Sequence, residues 1–302
     1  MLTRYTQGGL TWVDAVAPSP HEVKNLISEF CLDGALEWEI TSPSPKPKVE
    51  LFTGCLYLVL HFPALRAFHQ RPEQEIDFII GRKFLITVRY ENIDPLHFFA
   101  KTFEVGAVLS DSSAMHGGHL FTAMARSLYR SLTHECDALY RRLDEAEDQI
   151  FAGREREMVA HISRLGRILH DFRRALAPHR EMLESLEPAG EKLFGAGFAY
   201  HVRSALGEEG RARRTLEHLR EWLSELQETN NSLLELKQND IMKNLTIMAF
   251  TTFPLTLISS LFAIGAEHTP IVGMRYDFWI IVGFMLSLML CFFLFFKYKK
   301  WL

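Results

Sequence analysis

Two long stretches without a charged residue stand near the end of the chain. The first runs from Asn244 to Ala266 and the second from Phe278 to Phe296. Each is close to the roughly 20 residues that a helix needs to cross the hydrocarbon core of a bilayer. The first is richer in hydroxyl side chains and contains Pro254, which membrane helices tolerate where neighbouring groups compensate for the lost hydrogen bond. The pattern therefore predicts two transmembrane helices, an interior first and a peripheral second.

Lysine residues flank these stretches on the same side of the predicted membrane. They are Lys237 and Lys243 at the first stretch and Lys297, Lys299 and Lys300 after the second. The loop over residues 267–277 has a single cation, Arg275. Because basic residues are retained on the cytoplasmic side, both termini are predicted in the cytoplasm and the loop outside. The alternative is a pair of buried helices in a soluble core, which these lysines and Trp301 disfavour.

β-rich runs mark the N-terminal part of the chain. Strands are predicted at residues 35–40, 55–62, 75–80 and 83–90, and the last two read as a hairpin over a tight turn at Gly81-Arg82. A helix is predicted from Pro20 to Phe30, capped by Ser19. Residues 1–118 are therefore predicted to form a cytoplasmic α/β domain.

The middle of the chain has a charged, helical pattern instead. Helices are predicted at about 119–153 and 154–184, within a cytoplasmic helical region over residues 119–207. A third helix is predicted to begin near Glu208–Gly210. Its seam of residues at steps of three and four contains Leu216, Leu219, Leu223, Leu226, Asn230 and Leu233.

No proline interrupts this third helix before Pro254. One helix over residues 208–266 is therefore predicted to run as a stalk from the cytoplasm into the first membrane span. The alternative is a helix packed on its own domain. The second span and a cytoplasmic tail occupy residues 278–302.

The same spacing continues into the membrane as one helix face. Its members are Asn239, Met242, Thr246, Ala249, Phe253, Thr256 and Ser260. Two helices per chain cannot enclose a pore, so several copies would have to surround an axis if this face lines one. Apolar members would then close the path by dewetting, and the polar oxygens would contact the hydration shell of the ion. Close packing between helices is an equally weighted alternative, because small and hydroxyl residues favour it.

Composition excludes several classes of protein. The net charge of -4 gives no indication of nucleic-acid binding, and the four cysteines have no spacing typical of a disulfide framework or a metal site. The sequence has no phosphate-binding loop, nucleophile elbow, zinc-protease motif or catalytic Cys-His signature. Neither an enzyme nor a bound cofactor is expected.

The C-terminal run NDIMKNLTIMAFTTFPLTLISSLF, the ending KYKKWL and the hairpin EIDFIIGRKFLITVRY resemble the CorA family of divalent-cation transporters. The resemblance implies a homopentameric funnel in the cytoplasmic membrane, a pore lined by the first membrane helix, and transport of Mg2+ with Co2+ and Ni2+. It also implies that Asn239 and Met242 stand at the cytoplasmic pore entrance, Leu245 and Phe253 at apolar gates, and Thr256 in the pore lining.

One family motif is missing. The Gly-Met-Asn signature at the outer end of the first helix would fall at Ala263, Ile264 and Gly265. Glu267 aligns with an acidic loop position, and a ring of Glu267 would concentrate cations. A ring of His268 would add imidazoles, which suit Zn2+, Ni2+ and Co2+ better than Mg2+. The alternatives are thus a proton-coupled Zn2+ transporter resembling ZntB, or a non-conducting, membrane-anchored metal sensor or scaffold.

Two weaker signals concern metals bound in the cytoplasm. His116 and His119 have a spacing that could bind a metal, although the glycines between them indicate a loop before a helix. Glutamates on the stalk could sense cations between subunits, as family members do, or could form a solvated surface. They are Glu217, Glu221, Glu225 and Glu228.

Overall fold

The computed structural model describes residues 1–63, 73–91, 93–104, 116–264, 271, 273 and 275–299. The chain divides into two compact units, Met1–Gln227 and Glu228–Leu302. One long helix belongs to both units, and each unit is otherwise described by itself. The five-part division drawn from the sequence stays a prediction.

The described elements are six strands and eight helices. The strands are β1 (Leu2–Gln7), β2 (Leu10–Val16), β3 (Lys48–Phe52), β4 (Cys55–Pro63), β5 (Glu73–Gly81) and β6 (Phe84–Arg89). The helices are α1 (Pro20–Glu29), α2 (Leu36–Glu39), α3 (Asp94–Glu104), α4 (Gly117–Phe151), α5 (Glu155–Leu176), α6 (His179–Phe194), α7 (Gly197–Ala263) and α8 (Asp277–Tyr298).

The strands form one mixed sheet in the order β1-β2-β6-β5-β4-β3. All neighbours are antiparallel except β2 and β6, which are parallel. The β1–β2 hairpin turns at Gly8 and Gly9, whose φ angles of 56° and 79° favour glycine. The predicted β5–β6 hairpin is confirmed, with Arg82 and Lys83 as the linking residues, so the turn lies one residue later than predicted.

Helices cover both faces of the sheet. On one face, α1 and α2 contribute Val23, Leu26 and Leu36 to a core shared with the strands. On the other face, Phe78 of β5 meets Phe121 of α4 with ring centroids 5.2 Å apart. Helix α3 packs beside them, against β1 and the start of α4. The sheet therefore forms the middle layer of an α/β domain, because both of its faces are apolar.

Two of the predicted helices follow the sequence signals closely, and a third predicted segment is divided in two. Helix α1 begins as predicted, because Ser19 forms a capping box with Glu22. Helix α4 agrees with the segment predicted at 119–153. The segment predicted at 154–184 is instead divided into α5 and α6 at Ala177 and Pro178, because proline has no N–H to continue the hydrogen bonding of the helix.

The strand predicted at residues 35–40 is wrong. These residues form the short helix α2, in which Leu36 and Ile40 are fully buried while Trp38 is 84% exposed. The alternating pattern would place all three side chains on one face of a strand. The spacing of four between the two buried residues matches a helix turn, which accounts for the observed fold.

The predicted start of the long helix is also wrong, since α7 begins at Gly197 rather than near Glu208. The leucine seam from Leu216 to Leu226 is buried within the chain. Next to it, the Trp222 indole donates a hydrogen bond to Glu147 of α4 and its ring contacts Tyr140. This part of α7 is therefore a helix packed on its own domain, the alternative to a free stalk.

The second unit contains the remainder of α7 and all of α8. Among the described residues, these two helices are long and apolar enough to cross a membrane, and their most apolar segments are not buried by the rest of the chain. This agrees with the two predicted transmembrane helices. An apolar surface of this extent needs a lipid or protein partner.

Candidate ion-conduction site

The eight predicted pore-lining residues lie on one helix, as the sequence analysis requires. They are Asn239, Met242, Leu245, Thr246, Ala249, Phe253, Thr256 and Ser260, all within α7. At 100° per residue their side chains fall within about 120° of the helix circumference. None is buried within the chain, and Phe253 is the most exposed bulky member at 73%. The face is thus available to other copies of the chain or to a water-filled path.

The hydroxyl groups on this face share one hydrogen-bonding arrangement. Thr246 donates to the Met242 carbonyl at 2.8 Å, and Thr256 donates to the Thr252 carbonyl at 2.9 Å. Ser260 donates to the carbonyl of Thr256 at 2.8 Å. A hydroxyl has one O–H donor and two acceptor lone pairs, so each of these groups points outward as an acceptor only. Acceptors are what the outward-pointing hydrogens of a cation's hydration shell require.

Apolar side chains divide the face into separate levels. Met242 and Leu245 lie near its N-terminal end, and Phe253 lies in its middle, next to Pro254. Pro254 has no N–H to donate to the carbonyl of Phe250, yet α7 continues through it. The face therefore alternates polar and apolar levels, which is the arrangement that a hydrophobic gate requires.

Part of the predicted selectivity loop is described. Ala263 is the last residue of α7, and Ile264 follows it with 59% of its surface exposed. Gly265, Glu267 and His268 lie outside the described residues. Their proposed roles stay predictions.

A histidine cluster lies in the first unit. The MHGGH pair, His116 and His119, is joined by His201 of α7. The Nε2 atoms of His119 and His201 are 2.9 Å apart, and the rings of His116 and His119 have centroids 3.8 Å apart. Sequence reasoning found the first two residues but missed His201, because no local spacing links residues about 80 positions apart.

Burial of these imidazoles, reinforced by their proximity, disfavours their charged forms. It lowers the pKa of His116 to about 4, and the pKa values of His119 and His201 are also lowered. For His201 the neighbouring Arg126 adds to the effect. Within the described part of the chain, no three His, Cys, Asp or Glu side chains are arranged to hold a metal ion. The metal site suggested by the MHGGH spacing is therefore not formed in this structure.

The glutamates predicted as possible cation sensors are all exposed. They are Glu217, Glu221, Glu225 and Glu228. Glu221 lies 3.7 Å from the Nδ1 of His218, a contact that is ionic only when the imidazole is protonated. This geometry is that of a solvated helix surface, and a sensing role for these residues would require a second chain.

Comparison with known proteins finds similarity over nearly the whole chain. A family model described as "CorA-like Mg2+ transporter protein" matches residues 7–299. The cobalt/magnesium transport protein CorA of Thermotoga maritima is 24% identical over 302 residues, which cover 97% of this chain and 83% of that protein.

Solved structures agree with the fold. The CorA magnesium transporter of Methanocaldococcus jannaschii matches with a TM-score of 0.84 at 20% identity, covering 97% of this chain and 92% of that one. The ZntB cytoplasmic domain of Vibrio parahaemolyticus matches with a TM-score of 0.60 at 13% identity, over 75% of this chain and 88% of that domain. At these identities the structures support the architecture alone.

Proposed function

The chain belongs to the CorA-like Mg2+ transporter family, and from this membership we propose that it conducts divalent cations through a pore lined by the exposed face of α7. Members of this family are transporters, so the chain is not an enzyme. The observation that carries the proposal is the face itself, where hydroxyl oxygens used only as acceptors alternate with apolar side chains. Passive entry needs no ATP, because an inside-negative potential favours a dication by about 4.6 kcal/mol per 100 mV.

The pore would be formed by several copies of the chain. One chain supplies a single pore-lining helix, so a closed ring of identical chains is required to surround an ion. The relatives named cobalt/magnesium transport proteins support Mg2+ and Co2+ as cargo. The pentameric number and Ni2+ transport follow from the family resemblance. The lysines at the ends of the two spans support cytoplasmic termini in the cytoplasmic membrane, in contact with its lipids.

The gate is assigned to Phe253. Its ring is the largest on the face, and a ring of such side chains would exclude water from a narrow path. Replacement with alanine would widen the constriction and raise the leak of cations. Leu255→Ala is the matched control, because residue 255 is rotated by 200° from residue 253 and leaves the face unchanged.

Zinc transport of the ZntB kind is a second candidate. The altered signature at Ala263, Ile264 and Gly265 removes the amide that family members offer to a hydrated ion, while Glu267 and His268 could add acidic and imidazole rings. No ionisable side chain lies between Asn244 and Ala266, so a proton partner would have to come from the loop or the cytoplasmic part. A non-conducting sensor or scaffold is the third candidate.

Cation flux into proteoliposomes tests these proposals. The purified protein is compared with Phe253→Ala and Leu255→Ala for Mg2+, Co2+, Ni2+ and Zn2+, with and without a pH gradient. We expect Mg2+ flux that ignores the gradient, and a higher leak only in Phe253→Ala. Gradient-driven Zn2+ flux that falls in Glu267→Gln and His268→Ala would favour the ZntB-like function, and no flux of any ion would favour the sensor. Unchanged leak in Phe253→Ala would refute the gate.

A further inference from the structure

The histidine cluster connects the start of α4 with the first turns of α7. His116 precedes α4, His119 lies in its first turn, and His201 lies in the second turn of α7. The rings of His119 and His201 meet edge to face, with centroids 4.2 Å apart. The ring of His116 is stacked on Phe194 at 4.6 Å. The cluster is therefore a half-buried contact between two helices, made of titratable side chains.

The hydrogen bonds of the cluster fix where its protons lie. The backbone N–H of His116 donates to Nδ1 of His119 at 3.4 Å, so the His119 ring carries its own proton on Nε2. That proton is donated to Nε2 of His201 at 2.9 Å. The lone pairs of the two acceptor nitrogens, Nδ1 of His119 and Nε2 of His201, are then both occupied. A proton added to either nitrogen would place two N–H donors face to face and break the contact.

The surroundings of the cluster do not stabilise added charge. Arg126 of α4 is the charged side chain whose field acts on His201, and it is a cation. The groups that act on His116 and His119 are the other imidazoles, and no carboxylate of the described residues contributes. Arg82, at the β5–β6 turn, donates its Nε–H to the Leu193 carbonyl at the end of α6 and adds a second cation near this edge. An imidazolium formed here would lack a counter-ion.

Close packing surrounds the cluster on one side. A Cβ atom on Gly118 would lie 2.7 Å from the ring of Phe198 and 2.9 Å from Nδ1 of His116. Phe194 and Phe198 cover the cluster on the side of α6 and α7, with ring centroids 5.0 Å apart. Protonation would replace the attractive His119–His201 contact with repulsion between two donors, which weakens the packing of the start of α4 on α7.

We propose that this cluster is a proton-operated switch: acidification of its surroundings breaks the His119–His201 hydrogen bond and releases the first turns of α7 from the start of α4. Helix α7 also carries the candidate pore face, so the release would make transport depend on pH on the cytoplasmic side. That last step rests on the proposed function, whereas the opening of the contact does not. The pKa of His116 is lowered to about 4 and those of His119 and His201 are lowered as well, all chiefly by burial, so the folded cluster takes up protons only at a pH below the ordinary range of histidine.

A transition-metal ion is the other ligand that imidazoles could accept, and three observations disfavour it. Nδ1 of His119 faces a backbone N–H, whereas a ring that binds metal through Nε2 usually donates from its other nitrogen. Arg126 would repel a dication. The described residues also provide no third ligand in a suitable position.

Hydrogen–deuterium exchange of the full-length protein in lipid nanodiscs tests the switch without requiring transport. Exchange of peptides covering residues 116–130 and 197–210 is compared at pH 7.5 and 5.5 after correction for the intrinsic pH dependence. We expect roughly tenfold faster exchange at pH 5.5 in the wild type, because each pH unit below the ordinary histidine pKa changes the balance about tenfold. His201→Gln keeps an oxygen that accepts from His119 but cannot titrate, so its exchange should respond to pH clearly less than that of the wild type, with His116 and His119 as the remaining titratable groups.

The matched control is His218→Gln, which replaces an exposed histidine on the same helix and should retain the wild-type response. An unchanged wild-type rate between the two pH values would overturn the proposal, as would a wild-type response in His201→Gln. Protection by Zn2+ at pH 7.5 that disappears in His201→Gln would also overturn it, in favour of a metal site. If proteoliposomes show no flux while the exchange response persists, the proposed function fails and the switch stands.

Discussion

His179 provides the sharpest test of how burial controls the stability of the first unit. Its side chain is fully buried at the start of α6. The ring donates from Nε2 to the His61 carbonyl at 2.9 Å, and the Tyr129 hydroxyl donates to Nδ1 at 2.9 Å. The neutral imidazole satisfies both nitrogens, with Nε2 as donor and Nδ1 as acceptor. Protonation would place a positive charge inside the core and make Nδ1 a second donor, so the Tyr129 hydroxyl would have to turn away from Nδ1 and lose the acceptor for its own hydrogen.

The lowered pKa of His179 determines how much stability the first unit loses in acid. Burial lowers the pKa of His179 to about 4 in the folded protein, while the unfolded chain keeps the ordinary value of 6.5. Below pH 6.5 the unfolded state therefore binds a proton that the folded state does not accept. Stability is fully present above this pH and falls as the pH is lowered to about 4. At about 1.36 kcal/mol for each pH unit, the total loss is about 3–4 kcal/mol.

The assay is thermal unfolding of the full-length protein in detergent, followed by near-ultraviolet circular dichroism from pH 7.5 to 4. His179→Gln has a donor and an acceptor but no proton to gain in this range, and other acid effects are common to both proteins. For a unit of this size, 1 kcal/mol changes Tm by about 2–4 °C. We therefore expect the wild type to lose about 7–14 °C more than His179→Gln across the range.

Exposed histidines supply the control for this experiment. His134 has a side chain that is 83% exposed, and His134→Gln should follow the wild-type curve. The reasoning would be refuted if the Tm values of the wild type and His179→Gln fell in parallel from pH 7.5 to 4. Protonation of His179 would then make no contribution to the loss of stability in acid.

Three other substitutions have defined outcomes. Arg89→Met should lower the free energy of unfolding by about 3–5 kcal/mol in denaturant titration, because it leaves the buried carboxylate of Asp14 without its bidentate partner. Asp77→Asn should raise Tm at pH 8, since burial holds the pKa of Asp77 well above its usual range and stability is lost as rising pH ionises it; a lower Tm would contradict this. Gly190→Ala should destabilise by about 1–3 kcal/mol, because its Cβ would overlap the Phe198 ring, and equal Tm values would refute the overlap.

Short-range sequence signals, such as capping residues and apolar runs, predicted the helix and strands that depend on interactions between neighbouring residues. The capping box at Ser19 and Glu22 predicted the start of α1, and the apolar runs predicted strands β4, β5 and β6. The Gly8-Gly9 pair, a typical hairpin turn between alternating runs, was present in the sequence but was not used to predict β1 and β2. The prediction for residues 35–40 failed because a segment of four to six residues fits both the strand period of two residues and the helix period of 3.6. Burial against the rest of the fold selects the helix here.

Contacts between distant residues could not be predicted in the same way. The parallel pairing of β2 with β6 joins residues about 73 positions apart, and no local pattern specifies it. The same limitation hid His201 from the MHGGH pair and the Trp222 contact that packs α7 on α4. For the candidate pore, the spacing alone identified the face on α7, whereas the direction of its hydroxyl groups required backbone geometry.

The chemistry of this face limits how the protein can select its cation. None of the eight members is ionisable, so the face offers an ion neutral oxygens and no charge. Mg2+ loses its waters reluctantly, and acceptor-only hydroxyls such as those of Thr246 and Thr256 can contact those waters without removing them. Discrimination among hydrated dications by such a lining depends on the size and order of the hydration shell. Stronger selection for Zn2+ requires direct ligands, which the sequence places only at the outer loop, in Glu267 and His268. Under the proposed function, the loop would therefore decide the substrate, and the face of α7 would decide whether a hydrated cation passes.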